Sequence, residues 1–141
     1  MSAKQSSNKI FMVEPREFYS NPQTESSNHY QMKSANDEKQ LILDKALIEF
    51  HNFKNNLEKN GVEILCLKGI EGCPDHIFPN WFTTFEDKTM QIFPMNAENR
   101  RKEKTPEMIN ELCKIYKIQN DYGYLELEGI FLESTSSMVF D

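Results

Sequence analysis

The feature that most constrains this chain is a helical repeat of apolar residues that begins after Asp37. Its apolar side chains recur at intervals of three and four, with Glu, Lys and Asn between them: Leu41, Leu43, Ala46, Leu47, Phe50, Phe53 and Leu57. This spacing predicts an amphipathic helix. We expect it to begin with a cap near Asn36 or Asp37 and to end at Gly61.

Two short apolar runs enclose this predicted helix. The run "KIFMV" (9–13) is β-prone and is closed by Pro15, and "VEILCL" (62–67) follows the helix at once. The first run predicts a buried strand that ends in a loop, since proline cannot continue a strand ladder, and the second predicts another strand. Strand, helix and strand in succession predict an α/β fold. The polar stretch 20–37 between them predicts a long loop, because its Asn, Ser and Thr side chains compete with regular structure.

The second half predicts a hairpin and one further helix. "WFTTF" (81–85) and "TMQIF" (89–93) flank the three polar residues "EDK", a common hairpin loop length. "NAENRRKEK" (96–104) indicates a solvated charged linker. Thr105 and Pro106 then open a helix through about Tyr116, with Ile109, Leu112, Cys113 and Tyr116 on one face.

The last segment, residues 124–141, predicts two β-like runs separated by serines. The final run, "SMVFD" (137–141), stops while it still has a strand pattern. We therefore expect the chain to end in the middle of its fold.

Composition limits the class of partner. The 141 residues suit one domain, and 16 Lys and Arg against 22 Asp and Glu give a net charge of −6. Nucleic acid and anionic membrane surfaces are therefore unexpected partners. With no apolar stretch approaching the roughly 20 residues that span a bilayer, and no secretory signal, we expect a cytoplasmic protein.

The three cysteines, Cys66, Cys73 and Cys113, form neither a disulfide framework nor paired zinc-ligand spacing. Reduced thiols in a cytosolic protein are the simplest interpretation. Cys66 lies inside an apolar run, where a small core residue is more common than a reactive thiolate.

Metal chemistry has little support in the pattern. Only Cys73, Asp75 and His76 cluster, within a proline-containing loop where such a grouping arises readily by chance. His51 on the helix and His29 in the long loop are interpreted as solvated. We therefore predict no metal site.

Two carboxylates lie at the edges of predicted strands among apolar residues. Asp75 follows the 62–67 run, and Glu133 precedes the serine-rich stretch. An unpaired charge there would be costly, so each acid has either a functional role or a turn cap or ion pair.

Four segments in order carry a family resemblance: "FMVEPREFYSNPQTESSNHYQ" (11–31), "CPDHIFPNWFTTF" (73–85), "IFPMNAENRRKE" (92–103) and "GIFLESTSSMVFD" (129–141). Together they resemble the N-terminal half of the amidinotransferase-like, guanidine-modifying family, especially its citrulline-hydrolase branch. The resemblance implies the pentein fold, a five-bladed α/β propeller of ββαβ modules. Residues 1–141 would then be a single incomplete catalytic domain of about two modules.

The resemblance also assigns the loop that begins at Cys73. In the family its counterpart is a "PD-x-[VI]-F" loop at the mouth of the channel, and the matching positions are Asp75, Phe78 and Asn80. A carboxylate holds a planar, forked cation through two hydrogen bonds, so Asp75 is the choice for that role.

Two further positions follow from the same resemblance. Glu133, in "LESTSS" where the family has "LEG-x-GS", would orient the catalytic histidine and assist acid–base chemistry. Arg100 would hold the substrate's α-carboxylate, with Arg101 as the neighbour in the other register. Ser134 and Ser136 replace family glycines and would reshape the pocket.

The implied activity is that of a hydrolase or amidinotransferase acting on a small guanidino or ureido compound such as citrulline, arginine or methylarginine. The nucleophilic cysteine and general-base histidine would lie outside this chain, since none of its cysteines or histidines matches them. No cofactor is implied. The alternative is a non-catalytic binding or regulatory protein that retains half of the ligand pocket, and in either case we expect self-association through open strand edges.

Overall fold

The computed structural model describes residues 7–25 and 38–138. The chain divides into an N-terminal unit, Met1–Ser20 with Met32–Ile77, and a C-terminal unit, Asn21–Gln31 with Phe78–Asp141. Helices and small sheets are mixed along the chain, as the predicted α/β class requires.

The N-terminal unit has the predicted strand, helix and strand. Strand β1 (Lys9–Glu14) lies parallel to β2 (Glu63–Lys68), and helix α1 (Lys39–Lys59) connects them in sequence. The helix stops where predicted, because Gly61 adopts a φ of +83°, a conformation that glycine tolerates best. The predicted cap residues Asn36 and Asp37 lie outside the described residues.

Fewer of the apolar side chains on α1 are buried than their spacing suggested. Phe50 is buried, whereas Leu41 and Phe53 are more than half exposed. Val13 of β1 is fully buried in the same unit. His51 is exposed as predicted, and its Nε2 lies 3.7 Å from a Glu14 oxygen.

The C-terminal unit contains the predicted hairpin within a three-stranded sheet. Strands β3 (Phe82–Thr84) and β4 (Thr89–Ile92) are antiparallel, and a later strand, β5 (Lys117–Asp121), adds to β4 in parallel. The turn has no glycine, and Lys88 supplies the left-handed conformation with φ of +62°.

The prediction that residues 96–104 form a solvated linker is wrong. This segment contains the short helix α2 (Glu98–Arg101), and Asn99, Arg100 and Glu103 are buried. A run of charges was interpreted as solvated, but one helical turn places Arg100 beside Glu103, and the two can be buried as a pair.

Helix α3 (Pro106–Cys113) begins as predicted, with the Thr105 hydroxyl accepting from the Met108 N–H. It ends earlier than the predicted Tyr116. Its buried residues are Met108 and Leu112, and Cys113 is exposed rather than part of the apolar face.

The prediction of a first β-like run within residues 124–141 is also wrong. Residues Gly123–Glu128 form a 3₁₀ helix, and the short helix α4 (Ser134–Ser137) follows. The Asp121 carboxylate accepts from the Gly123 N–H and turns the chain, and Gly129 ends the 3₁₀ helix with φ of +71°. Of the second run, residues 139–141 lie outside the described part.

Several apolar side chains of this last segment face solvent. Leu127 is 93% exposed, and Tyr124 and Ile130 are at least half exposed. Among the described residues, no helix combines the length and apolar character that crossing a bilayer requires.

Candidate functional site

The loop from Phe78 to Asn80 connects several of the predicted site residues. The carbonyl of Phe78 accepts from Arg100 Nη2 at 2.5 Å and from the Asn80 N–H at 2.7 Å. The carbonyl of Asn80 accepts from the Ser134 N–H at 3.0 Å, which anchors the residue directly after Glu133. The C-terminal unit therefore brings Phe78, Asn80 and Arg100 together with the backbone that carries Glu133.

These side chains differ in exposure. The Phe78 ring is 53% exposed, and Asn80 and Glu133 are half-buried. Trp81, next to Asn80, is fully buried and packs on Phe82 with ring centroids 4.6 Å apart. The exposed Phe78 ring is thus followed, three residues later, by the fully buried Trp81 side chain.

Arg100 is held inside the unit. Its Nε lies 3.2 Å from Glu103 Oε1, and the two side chains are 6% and 0% exposed. Charge-assisted contacts of this kind fix a guanidinium in one geometry. Sequence reasoning missed Glu103, although its spacing of three from Arg100 on a helical segment was a signal for a pair.

Arg101 has a different environment. It donates to the carbonyls of Met95 at 2.9 Å and Asn96 at 2.8 Å, and its guanidinium carbon lies 5.3 Å from the Phe131 ring centroid. Its side chain keeps 31% of its surface accessible, much more than that of Arg100.

A second buried charge cluster was not predicted. Glu126 accepts from the Met95 N–H at 2.8 Å and from the Lys104 ammonium, and Lys104 also donates to the Phe93 carbonyl at 3.3 Å. Both ionic side chains are less than one-sixth exposed. The alternating "YLELE" pattern suggested a strand and hid this role.

An amide cluster holds the start of the long loop. Asn99 Nδ2 donates to Asn21 Oδ1 at 2.8 Å, and Asn21 Nδ2 donates to Asn99 Oδ1 at 3.2 Å. The Asn99 N–H also donates to Gln23 Oε1 at 2.9 Å. Short amides in a polar stretch gave no sequence signal for this cluster, because the partner lies 78 positions away.

Asp75 lies in the N-terminal unit, in a tight turn in which the His76 N–H donates to the Cys73 carbonyl at 3.1 Å. Asp75 is half-buried, whereas Cys73 and His76 are almost fully buried. His76 Nδ1 accepts from the Ile70 N–H at 3.3 Å. Among the described residues, no group of three His, Cys, Asp or Glu side chains could hold a metal ion.

None of the three cysteines forms a disulfide, and the shift found at Cys66 disfavours its thiolate. Burial, followed by the negative charge of Glu14, raises the pKa of Cys66. Cys73 is buried, and Cys113 is exposed. A nucleophile needs a lowered pKa, which is the opposite of the shift at Cys66.

Comparison with known proteins identifies the family. The family model described as "N,N dimethylarginine dimethylhydrolase, eukaryotic" matches residues 14–141. The structure of unliganded AgrE is similar, with a TM-score of 0.61 and 14% sequence identity, over 89% of this chain and 17% of the AgrE chain. At that identity the likeness concerns the fold alone, and no curated protein matches significantly. The chain belongs to the eukaryotic N,N-dimethylarginine dimethylhydrolase family, which has the pentein fold.

Proposed function

We propose that this chain forms part of the substrate site of a hydrolase that acts on methylated arginine, within a pentein propeller. The observation that carries the proposal is the family match over residues 14–141, which includes all five predicted site residues. The match covers only 17% of the AgrE chain. We propose that the nucleophile of the hydrolase lies in a part of the protein that these 141 residues do not include.

The anchored loop has the physical properties that such a site needs. Phe78 offers an exposed ring face, against which a planar cation is stabilised by the ring quadrupole. The loop backbone is fixed by Arg100 and by the Ser134 N–H, so its groups are positioned before substrate arrives. The family resemblance gives two carboxylates a role with the forked N–H donors of a guanidinium: Glu133 in this unit and, in the N-terminal unit, Asp75.

Arg100 is proposed to bind the α-carboxylate of the substrate, as the family resemblance implies. To do so its guanidinium would have to exchange a present contact, with Glu103 or with Phe78, for the substrate. Arg101 is the more accessible neighbour and is the natural comparison.

A second candidate function is binding without turnover by this chain. The raised pKa of Cys66 favours it, because covalent catalysis requires a thiolate and this shift disfavours one at Cys66. In this case the 141 residues would bind the guanidino ligand and release it unchanged.

The test is calorimetric titration of the chain with dimethylarginine, arginine and citrulline, beside an assay for dimethylamine release. We expect dimethylarginine to bind without turnover. Asp75→Asn and Glu133→Gln should each weaken binding by about tenfold to a hundredfold, since a hydrogen bond to a charged group contributes about 1.5–3 kcal/mol.

Glu86→Gln, in the exposed hairpin turn, is the matched control and should bind normally. Turnover that survives replacement of all three cysteines would contradict the proposed cysteine mechanism. Equal binding by wild type, Asp75→Asn and Glu133→Gln would contradict the assignment of the carboxylates.

A further inference from the structure

The N-terminal unit contains a cavity of about 290 Å³ that the proposed substrate site does not use. Its volume lies near the lower end of the range of about 300–1,000 Å³ that is typical of small-molecule sites. The lining combines aromatic, cationic and acidic side chains, among them Arg16, Glu17, Tyr19, Lys39 and Glu71.

A cation already lies on an aromatic wall of this cavity. The Lys39 ammonium is 4.0 Å from the centroid of the Tyr19 ring. A cation within about 6 Å of a ring centroid is attracted by the negative face of the π-system. The Tyr19 ring is therefore a surface on which positive charge is stable.

A fixed carboxylate stands beside this ring. Glu17 Oε2 accepts from the Tyr19 hydroxyl at 3.2 Å and from the Gly72 N–H at 3.0 Å. Both donors are uncharged, so they hold the carboxylate in place without neutralising it. Burial, followed by Glu17, raises the pKa of Tyr19, which keeps the phenol protonated and able to donate at neutral pH.

The other charged lining residues do not offer a comparable site for an anion. Arg16 Nη2 is paired with Glu71 Oε1 at 3.0 Å. Lys39 is directed at the ring. The electrostatic arrangement thus favours a positive ligand at the Tyr19 face.

We propose that this cavity binds a small organic cation, a methylated ammonium or guanidinium, on the Tyr19 ring beside Glu17, and that Lys39 occupies the position in the unliganded chain. A bound cation displaces the flexible Lys39 side chain, so the lysine competes with the ligand. The site uses none of Asp75, Phe78, Asn80, Arg100 and Glu133, and it stands independently of the proposed function.

The experiment titrates the full chain with tetramethylammonium, and in parallel with methylguanidinium, observed by NMR chemical shifts. Wild type should show saturable shifts. Tyr19→Leu should weaken binding about tenfold, while Tyr19→Phe, which keeps the ring, should retain most of it. Lys39→Gln should strengthen binding because it removes the competitor.

Matched controls separate this site from others. Tyr124→Leu removes an exposed tyrosine of the C-terminal unit and should leave binding unchanged. Circular dichroism of each variant establishes that it is folded, and a variant that is unfolded is replaced by Tyr19→Met. Wild-type affinity in a folded Tyr19 variant without a ring, weaker binding in Lys39→Gln, or preferential binding of acetate over the cations would each overturn the proposal.

Discussion

Two ion pairs, one in each unit, place the same chemical groups in opposite environments. In the N-terminal unit, Arg16 and Glu71 lie 3.0 Å apart with side chains 60% and 75% exposed. In the C-terminal unit, Arg100 and Glu103 lie 3.2 Å apart with side chains 6% and 0% exposed. Solvent screens the charges of the exposed pair. In the buried pair each charge depends on the other, because few waters can reach a buried charge whose partner is removed.

This difference indicates what each unit does with its charges. The C-terminal unit uses them as internal supports, since Arg100 fixes the Phe78 carbonyl and Glu126 fixes the Met95 N–H. The N-terminal unit leaves charged groups around a cavity, where they remain accessible to a ligand.

The largest effect is expected for Glu103→Gln. Removal of the buried negative charge beside Arg100 should reduce the free energy of unfolding by about 3–5 kcal/mol, since breaking one side of a buried pair is costly. Urea denaturation followed by fluorescence measures this, with Glu86→Gln as the exposed control. A loss no larger than that of the control would remove the contrast between the two pairs.

A smaller loss is expected for Asn99→Ala. This change deprives the buried Asn21 amide of two hydrogen bonds, and leaving buried polar groups with fewer partners costs about 1–3 kcal/mol. Asn110→Ala, on the exposed face of α3, is the matched control in the same denaturation experiment. The two variants should differ clearly, and equal midpoints would show that the amide cluster contributes nothing to stability.

Arg16→Gln should have little effect on stability. Exposed pairs contribute about 0–1 kcal/mol, and salt screens them, so the difference from wild type should shrink in 1 M NaCl. Thermal unfolding at low and high salt measures both quantities. A salt-independent loss as large as that of Glu103→Gln would mean that the exposed pair behaves like the buried one.

The smallest effect is a pH dependence from Cys66. Because its pKa is raised in the folded protein, the folded thiol holds its proton more tightly than the unfolded thiol does. The stability difference between wild type and Cys66→Ala should be constant below the ordinary thiol pKa and should shift against wild type as the pH rises through the folded pKa. Denaturation at pH 8 and pH 10 under reducing conditions tests this, and a shift in favour of wild type would contradict the sign.

The sequence predicted those parts of the fold that depend on local pattern. Periodicity placed β1, α1, β2 and the hairpin, and Thr105 with Pro106 marked the start of α3. The errors arose where distant or paired groups decide the structure. Arg100 and Glu103 are buried because each meets the other, and the 3₁₀ helix Gly123–Glu128 places Glu126 against the Met95 N–H, 31 positions away.

The candidate site was predicted from the family resemblance. The pattern of residues alone did not reveal the hydrogen bonds that hold the site in place. Phe78, Asn80 and Arg100 were named from matching segments, and the structure joins them through the Phe78 carbonyl. No periodicity could reveal that backbone oxygen as the acceptor, or the amide pair that links Asn21 to Asn99. The roles of Asp75, Glu133 and the other predicted site residues in catalysis stay predictions.

The pairing of β1 with β2 has a consequence for the order in which the chain assembles. Lys9 and Glu63, which face each other at the start of this parallel ladder, are 54 positions apart, whereas β3 and β4 meet across a short turn. Closing a long segment costs entropy before any contact forms, so distant pairings arise more slowly than hairpins. The hairpin should therefore gain protection first during refolding, and the Tyr19 wall, which follows β1, should acquire its shape only after α1 has brought the two strands together.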